Sequence, residues 1–219
     1  DDPRNSLYMA VFKTVSQFSP KAFVIENVFG LKTMWKGAVL KEIIEKFSNE
    51  IGYDVVSSLV NMAEYGVAQF RKRVFIVGIN KELNKQFQFP PPTHDDSNFV
   101  TCSDAISDLP SRENDLGNEE ENYLGQPATP YQQAMNNGCG KLFNHVGSAH
   151  RDFVKKTIAM VPEGGNYKDL PKGVGTSRRF NEAWTRYHSE KPSRTIDTGH
   201  RNHFHYKWNR VPTVRENAR

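Results

Sequence analysis

The spacing of apolar and polar residues predicts a helix followed by a strand at the start of the chain. Apolar residues recur at helical spacing, at Leu7, Val11, Phe12, Val15 and Phe18. Asn5 or Ser6 can cap this helix, and Pro20 ends it. The segment 22–25, Ala-Phe-Val-Ile, is short and rich in β-branched and aromatic residues. That composition predicts a buried strand.

Three more elements follow in the same pattern. The apolar spacing predicts a helix over about 37–50, with Gly52 as its C-cap. A strand is indicated over 53–59 and a clearer one over 73–79. Because no helical pattern joins these two strands, they can be antiparallel. Helices alternating with strands in this way predict an α/β fold in which helices cover a sheet.

The character of the sequence changes after the proline run 90–92, which predicts a domain boundary. The stretch from about 94 to 137 is acidic and irregular, with one short helix near 103–109. A further helix is indicated over 150–160. Short extended pieces are expected around 193–198 and 203–206.

Composition limits the class of protein. A chain of 219 residues with 37% hydrophobic content can form one large domain or two small ones. It has no apolar run long enough for a membrane span, and the opening residues 1–4 do not resemble a signal peptide. Cys102 and Cys139 form neither a disulfide framework nor a metal-ligand pattern. These observations predict a reducing, intracellular compartment.

The charge is distributed unevenly. Residues 95–125 contain nine acids against Arg112 alone, whereas residues 178–219 contain ten Lys or Arg against four acids. This polarity predicts a face that binds a polyanion near the C-terminal part of the chain, with nucleic acid favoured. The acidic run 119–121 is expected to be a solvated loop. The alternative is that the acidic and basic stretches form two ordinary exposed surfaces.

Two polar stretches stand next to predicted strands. Glu26 and Asn27 follow the apolar run directly, and ligands of open α/β sheets bind at the carboxyl ends of strands. The alternative is that Glu26 caps the next helix. Gln69, Arg71 and Arg73 alternate, so in an extended segment they share one face and can receive phosphate oxygens or a base carbonyl. A basic strand entry that faces water is the other interpretation.

Taken together, these stretches resemble the DNA (cytosine-5)-methyltransferase family. Glu26-Asn27-Val28 resembles motif VI, and Gln69-x-Arg71-x-Arg73 resembles motif VIII. The remaining segments agree in order: 2–8 with motif V, 62–66 with motif VII, 161–166, 170–171 and 191–196 with the target-recognition region, and 210–219 with the opening of motif IX. The resemblance implies a partial catalytic domain at 1–93, a target-recognition domain at 94–209, and a truncated motif IX at 210–219.

The implied fold is α/β. It comprises the C-terminal part of a Rossmann-like sheet of an AdoMet-dependent methyltransferase and a smaller, irregular, β-rich target-recognition domain. In the family, the AdoMet-binding glycine turn and the Pro-Cys nucleophile loop lie upstream of motif V. Neither Cys102 nor Cys139 follows a proline. The resemblance therefore predicts a fragment or subunit that is inactive alone.

The implied function is transfer of a methyl group from S-adenosyl-L-methionine to C5 of a flipped cytosine in a specific DNA site of a restriction-modification system. Glu26 would face N3 of the cytosine, Arg73 its O2 edge, and Arg71 phosphate and the catalytic loop. Asn5 and Leu7 would border the cofactor. The implied DNA contacts are Arg4, Asn27, Gln69, Arg71, Arg73, Arg194, Arg201 and Arg215. Further candidates between 178 and 206 are Arg178, Arg179, Trp184, Arg186, Tyr187, Lys191 and Tyr206.

The expected partners are double-stranded DNA, the missing N-terminal catalytic part as a separate chain, and a second copy joined through exposed sheet edges. A bacterial, cytoplasmic location is expected. His200-x-x-His203-x-His205 could bind zinc, but histidines that pack or face DNA are favoured, and the family uses no catalytic metal. The alternative function is a catalytically inactive DNA-binding recognition module or a degenerate homologue.

Overall fold

A computed structural model describes residues 7–174, 183–197 and 202–219. The chain divides into two compact units, the first comprising 1–62 and 71–93 and the second comprising 63–70 and 94–219. One boundary between the units follows residue 93, and two more fall within 62–71. Residues 63–70 and 210–219, however, belong to the second unit. The catalytic and recognition roles of the two parts stay predictions.

The first unit contains the elements that the apolar spacing predicts, with bounds that differ by one to three residues. They are α1 (Tyr8–Phe18), β1 (Ala22–Val28), α3 (Ala38–Asn49), β2 (Tyr53–Asn61) and β3 (Lys72–Asn80). A short helix that the spacing does not predict, α2 (Gly30–Thr33), and single 3-10 turns at Met34–Gly37 and Lys81–Leu83 complete the unit, and a further 3-10 turn at Met62–Tyr65 begins at its last residue before the second unit. The predicted caps Asn5 and Ser6 lie outside the described residues, and α1 has Leu7 at its N-cap position.

The sheet of the first unit has the order β1-β3-β2. β3 is antiparallel to both neighbours, which confirms the antiparallel arrangement considered for the last two strands. β1 and β2 therefore run in the same direction on either side of β3. Phe23 packs with Phe47 and Tyr53 beneath this sheet. A Cβ at Gly78 would lie 2.2 Å from Cε1 of Phe23, so β3 needs glycine where the ring crosses it.

β1 is an edge strand of the three-stranded sheet, and the prediction of a buried strand is wrong for one of its faces. Helices α1 to α3 pack on the face that carries Phe23 and Ile76. On the other face, Val24 is 64% exposed and Val28 is 56% exposed. Alternate residues of a strand point to opposite faces, so Glu26 shares the exposed face with these two valines.

The turn between α2 and α3 has an unusual backbone. Trp35, Lys36 and Gly37 are consecutive residues with positive φ, at 46°, 58° and 88°. The left-handed region costs a residue other than glycine about 1–2 kcal/mol. Leu31 is buried and anchors the segment in the core, whereas the Trp35 side chain is 73% exposed.

The second unit is built from short elements. They are α4 (Cys102–Ile106), β4 (Glu120–Asn122), α5 (Pro130–Asn136), β5 (Lys141–Phe143), α6 (Asp152–Met160), β6 (Thr185–Arg186), β7 (His203–Phe204) and α7 (Val214–Ala218), with a 3-10 turn at Tyr167–Asp169. β4 and β5 are antiparallel, and β6 and β7 are parallel. The irregular character agrees with the sequence interpretation. The described strands of this unit are only two or three residues long, so its described part is not β-rich.

Buried arginines hold the second unit together. Arg186 is 5% exposed, and its guanidinium donates to the carbonyl oxygens of Ile158 (2.5 Å), Val161 (2.8 Å) and His205 (3.1 Å). Burial lowers the pKa of Arg186, although a guanidinium remains protonated at neutral pH. Hydrogen bonds to carbonyls satisfy a buried guanidinium without a carboxylate partner. Arg186 thus ties α6 to the segment that follows β7.

Arg112 is a second buried arginine with a structural role, and its contacts change the interpretation of the acidic run 119–121. Its guanidinium is buried, pairs with Glu121 of β4 and donates to the carbonyl oxygen of His145. The prediction that residues 119–121 form a solvated loop is therefore wrong for Glu121, whose side chain is 21% exposed. A Cβ at Gly117, where φ is 74°, would lie 2.4 Å from Cζ of Arg112.

His205 makes the stability of the second unit depend on pH. Its Nδ1 accepts hydrogen bonds from the backbone N–H groups of Lys207 (3.0 Å) and Trp208 (3.2 Å), so the folded state holds it neutral. Burial lowers the pKa of His205 to about 4, from an ordinary value of 6.5. Below pH 6.5 the unfolded chain takes up a proton that the folded chain excludes, so stability falls as the pH drops towards 4. One pKa unit corresponds to about 1.4 kcal/mol, which gives a loss of up to about 3 kcal/mol.

Urea unfolding followed by tryptophan fluorescence between pH 7.5 and pH 5 measures the part of this loss that falls above pH 5, about 2 kcal/mol. We expect His205→Gln to be less stable at pH 7.5 and to lose less stability on acidification. His145 is also buried with a lowered pKa, so a smaller pH dependence remains in that variant. If the unfolding free energy of His205→Gln depended on pH as steeply as that of the wild type, His205 would not be the source of the pH dependence.

Candidate functional site

Glu26 and Arg73 form an ion pair on neighbouring strands of the first unit. Nε of Arg73 lies 2.8 Å from Oε1 of Glu26, and Nη1 donates to the carbonyl oxygen of Lys72 at 2.9 Å. The Arg73 side chain is 15% exposed and that of Glu26 is 46% exposed. The carboxylate of Glu26 is therefore accessible to a ligand, with the largely buried guanidinium beside it.

The position of this pair follows from the sheet. Val28 and Val60 lie opposite Arg73 in register, so Arg73 stands where β1 and β2 end and β3 begins. Glu26 lies within β1, two residues before its end, and α2 has no side-chain cap. The interpretation of Glu26 as a helix cap is therefore wrong. Ligands commonly bind at the carboxyl ends of parallel strands, which is where the pair lies.

Amide side chains shape the backbone around the pair. Oδ1 of Asn27 accepts a hydrogen bond from the backbone N–H of Val28 at 2.8 Å. Oδ1 of Asn61, which is buried, accepts from the backbone N–H of Arg71 at 3.2 Å. Both amides fix the chain locally, and Asn61 is a residue that the sequence interpretation missed. Its signal is an amide at the end of a predicted strand, the same signal that identified Asn27.

The predicted motif Gln69-x-Arg71-x-Arg73 is divided between the two units. Gln69 belongs to the second unit, where it bridges to Ser193, whereas Arg71 and Arg73 belong to the first. The N–H of Phe70 donates to the carbonyl oxygen of Ser193 (2.8 Å), and Oγ1 of Thr195 donates to that of Phe70 (3.0 Å). Gln69 and Phe70 thus hold the 193–195 segment in place.

The second unit has a cleft of about 580 Å³ beside this segment. Its lining includes Phe70, Tyr187, His188, Lys191, Arg194 and Thr195. Lys191 and Arg194 are exposed there. Glu163 accepts a hydrogen bond from the N–H of Ser189 at 2.5 Å, which fixes the turn before Lys191. Hydrogen bonds from the side chain and then the backbone of Ser189 lower the pKa of Glu163. Two cations, a histidine and a hydroxyl around an open cleft suit phosphate groups.

The other predicted contacts have different environments. Arg186 and Tyr187, two of the candidates for DNA contact, are buried, so their side chains pack in the interior instead. Nε of Arg215 donates to the carbonyl oxygen of Phe143 at 2.8 Å, and Leu7 is 63% exposed. Arg4, Asn5, Arg178, Arg179 and Arg201 lie outside the described residues.

The histidines and cysteines show no metal centre in the part of the chain that the structure describes. His203 and His205 are buried, which is the packing role considered for them, and His200 is not described. Cys102 is buried at the start of α4, and burial raises its pKa to about 12. Cys139 is exposed. None of the described helices is long and apolar enough to cross a membrane.

Comparison with known proteins gives the family. A model of the family described as C-5 cytosine-specific DNA methylase matches residues 1–219. The chain is 35% identical to type II methyltransferase M.DdeI of Desulfomicrobium norvegicum, covering 100% of this chain and 56% of that protein. It is 33% identical to type II methyltransferase M.NgoFVII of Neisseria gonorrhoeae, covering 99% of this chain and 53% of the relative. The chain thus spans about half the length of these curated relatives.

A solved structure agrees in fold. A protein from E. coli, described as a DNA modification methyltransferase encoded within a prophage, superimposes with a TM-score of 0.75. The match covers 100% of this chain and 63% of the other, at 22% identity, and supports the mixed α/β fold alone. By its match to the family model over its whole length, the chain belongs to the C-5 cytosine-specific DNA methylase family.

Proposed function

We propose that the chain is part of a DNA cytosine-5 methyltransferase, in which it supplies the groups that activate the cytosine and a large part of the DNA-binding surface. The observation that carries this proposal is the ion pair between Glu26 and Arg73 at the carboxyl ends of β1 and β2. The pair brings Glu26 of the motif VI segment beside Arg73 of the motif VIII segment, and the family membership supplies the reaction. C5 of a stacked base is inaccessible, so the target cytosine has to leave the duplex.

Glu26 activates the ring in this proposal. Cytosine accepts a nucleophile at C6 only when N3 is protonated or strongly hydrogen-bonded. One carboxyl oxygen of Glu26 holds the proton at N3, and the other accepts from the exocyclic amine. General acid catalysis of this kind contributes about 10²–10⁴-fold to a rate. In this structure the carboxylate is half exposed and paired with Arg73, so binding of the base has to exclude water from it.

Arg73 complements the developing charge. Negative charge accumulates on the ring as the nucleophile adds, and a fixed guanidinium at the O2 edge stabilises it. The hydrogen bond from Nη1 to the carbonyl oxygen of Lys72 fixes the plane of the guanidinium. Its bond to Glu26 also keeps the two groups of the site in register before the base arrives. Arg71 would contact phosphate next to this site.

DNA recognition falls to the second unit in this proposal. Support comes from the cleft that Lys191 and Arg194 line, since phosphate contacts orient a protein on the duplex. Gln69 and Thr195 stand on the two segments that border it. Asn27, Arg194 and Arg215 remain proposed DNA contacts. The irregular backbone of this unit suits a recognition domain, because loops present side chains of varied direction.

The nucleophile and most of the cofactor site are proposed to come from residues outside 1–219. The family reaction needs a thiolate, and the raised pKa of Cys102 keeps that group a thiol at neutral pH. S-adenosyl-L-methionine would supply the methyl group. The described residues do not by themselves form a site for it, because Leu7 is the one predicted cofactor contact among them. A separate chain that carries the remaining part is the proposed partner.

Methyl transfer tests the proposal. The protein that contains this chain, supplied with tritiated S-adenosyl-L-methionine and duplex DNA, is expected to place label in 5-methylcytosine at one DNA sequence. Nuclease digestion followed by chromatography of the nucleosides measures it. Sequence-specific binding without labelling would instead identify the inactive recognition module. If the protein neither binds nor labels DNA, the proposed function is refuted.

A further inference from the structure

The turn 34–37 has features that the proposed site does not use. Trp35 is 73% exposed, and it holds a left-handed conformation together with Lys36 and Gly37. Among the described residues, no aromatic ring or carboxylate pairs with it. Such strain persists where the surroundings impose it, and it concentrates at sites of function. The exposed tryptophan is therefore a candidate contact rather than a packing residue.

The charges next to Trp35 point to the class of partner. Lys32 precedes the turn and Lys36 lies within it, next to Trp35, and no acidic residue occurs between Glu26 and Glu42. Within the described part of the chain, neither lysine has a carboxylate within 4.0 Å. An aromatic face between two unpaired ammonium groups matches a nucleobase between two phosphates. A purely apolar protein partner would leave both lysines desolvated without compensation.

The turn also lies at the end of the first unit that carries the Glu26–Arg73 pair. It follows β1, which ends at Val28, and the Glu26–Arg73 pair marks that end of the sheet. The buried side chain of Leu31 fixes the base of the segment, so the strained tip is presented on a rigid support. Hydrogen bonds to the carbonyl oxygens of Phe29 (from Lys32 N, 3.0 Å) and Gly30 (from Thr33 Oγ1, 3.2 Å) reinforce that support.

We propose that residues 29–37 form a DNA contact in which Trp35 stacks on a base left without its stacking neighbour by extrusion of the cytosine, while Lys32 and Lys36 bind the adjoining phosphates. This inference rests on the proposed function. Extrusion of one base from a duplex leaves the faces of its neighbours uncovered, and an indole ring covers such a face. Trp35 then favours the flipped state of the DNA over the stacked state.

The test separates a DNA contact from a structural role. Asparagine tolerates the left-handed region, so Trp35→Asn removes the ring and relieves strain. We expect its melting temperature to equal or exceed that of the wild type, while its affinity for target duplex falls about tenfold, the effect of losing one stacked base. Phe18→Ala removes an equally exposed ring, 71% exposed, from the far end of α1 and should change affinity less than about twofold.

Two readouts complete the experiment in the complete protein. Titration with target duplex should quench the tryptophan fluorescence of the wild type and quench that of Trp35→Phe far less. Acrylamide should quench Trp35 in the DNA-free protein. The inference would be overturned if Trp35→Asn bound target duplex with wild-type affinity, or if acrylamide could not reach Trp35. In either case the protein would still label DNA. Failure of the wild type to bind DNA would remove the proposed function and this inference together.

Discussion

Replacement of Glu26 by glutamine in the complete methyltransferase is expected to reduce methyl transfer by about 10²–10⁴-fold. Glutamine keeps the size of the side chain and its oxygen, but it cannot hold a transferable proton at N3 of cytosine. Stability should change little, because the pair with Arg73 is half exposed on the Glu26 side and such pairs contribute about 0–1 kcal/mol. The dissociation constant for target duplex should stay within a few-fold of the wild type.

The measurements are single-turnover methyl transfer with labelled cofactor, a binding titration and a melting temperature. Asp54→Asn is the matched control, because Asp54 stands on β2 opposite Ile79, at the other end of the same sheet. We expect that control to methylate DNA at the wild-type rate. Equal losses of turnover and DNA binding in Glu26→Gln would show that Glu26 has a structural role.

The second large effect is expected at Glu216, which pairs with Arg210 inside the second unit. Two hydrogen bonds of 2.7 Å join the guanidinium to both carboxyl oxygens, and Oε2 also accepts from the N–H of Thr213 at 2.8 Å. Burial acts to raise the pKa of Glu216, but the hydrogen bonds and charge of Arg210 outweigh it, and the pKa is lowered. Glu216→Gln leaves a buried guanidinium without its counter-charge and is expected to cost about 3–5 kcal/mol.

Urea unfolding at pH 7.5 measures this cost. Glu120→Gln is a control in the same unit, since Glu120 pairs with Lys141 at 3.3 Å and both side chains are about half exposed. Its expected effect is below about 1 kcal/mol. Similar values for the two variants would mean that water reaches Arg210 and that the pair is not buried in solution.

The regular elements of the first unit could be predicted because each carries its own periodic signal. Apolar residues at helical spacing indicate α3, and the run from Val74 to Ile79 indicates β3, wherever the chain places them. Strand order has no such local signal. The placement of β3 between β1 and β2 leaves β1 at an edge, and this is why Val24 and Val28 are exposed against expectation.

Residue type and order in the sequence suggest the candidate site, but they do not give its geometry. Glu26 and Arg73 stand out as polar groups beside apolar runs, and the antiparallel register of β1 and β3 then brings them to 2.8 Å. Burial of a charged residue cannot be read in the same way. Arg186 and Lys191 look alike in sequence, yet one is buried among carbonyl oxygens and the other lines an open cleft. Tertiary partners decide that difference.

The buried arginines also change how strongly salt should affect DNA binding. Each phosphate that a protein neutralises releases counterions and steepens the fall of log affinity with log salt by about 0.9. Arg186 and Arg210 are fully engaged in the interior, and Arg219 pairs with Asp108 at 2.7 Å. These three of the ten cations between residues 178 and 219 displace no counterions from DNA. The salt dependence of this region is therefore set by fewer charges than its sequence contains.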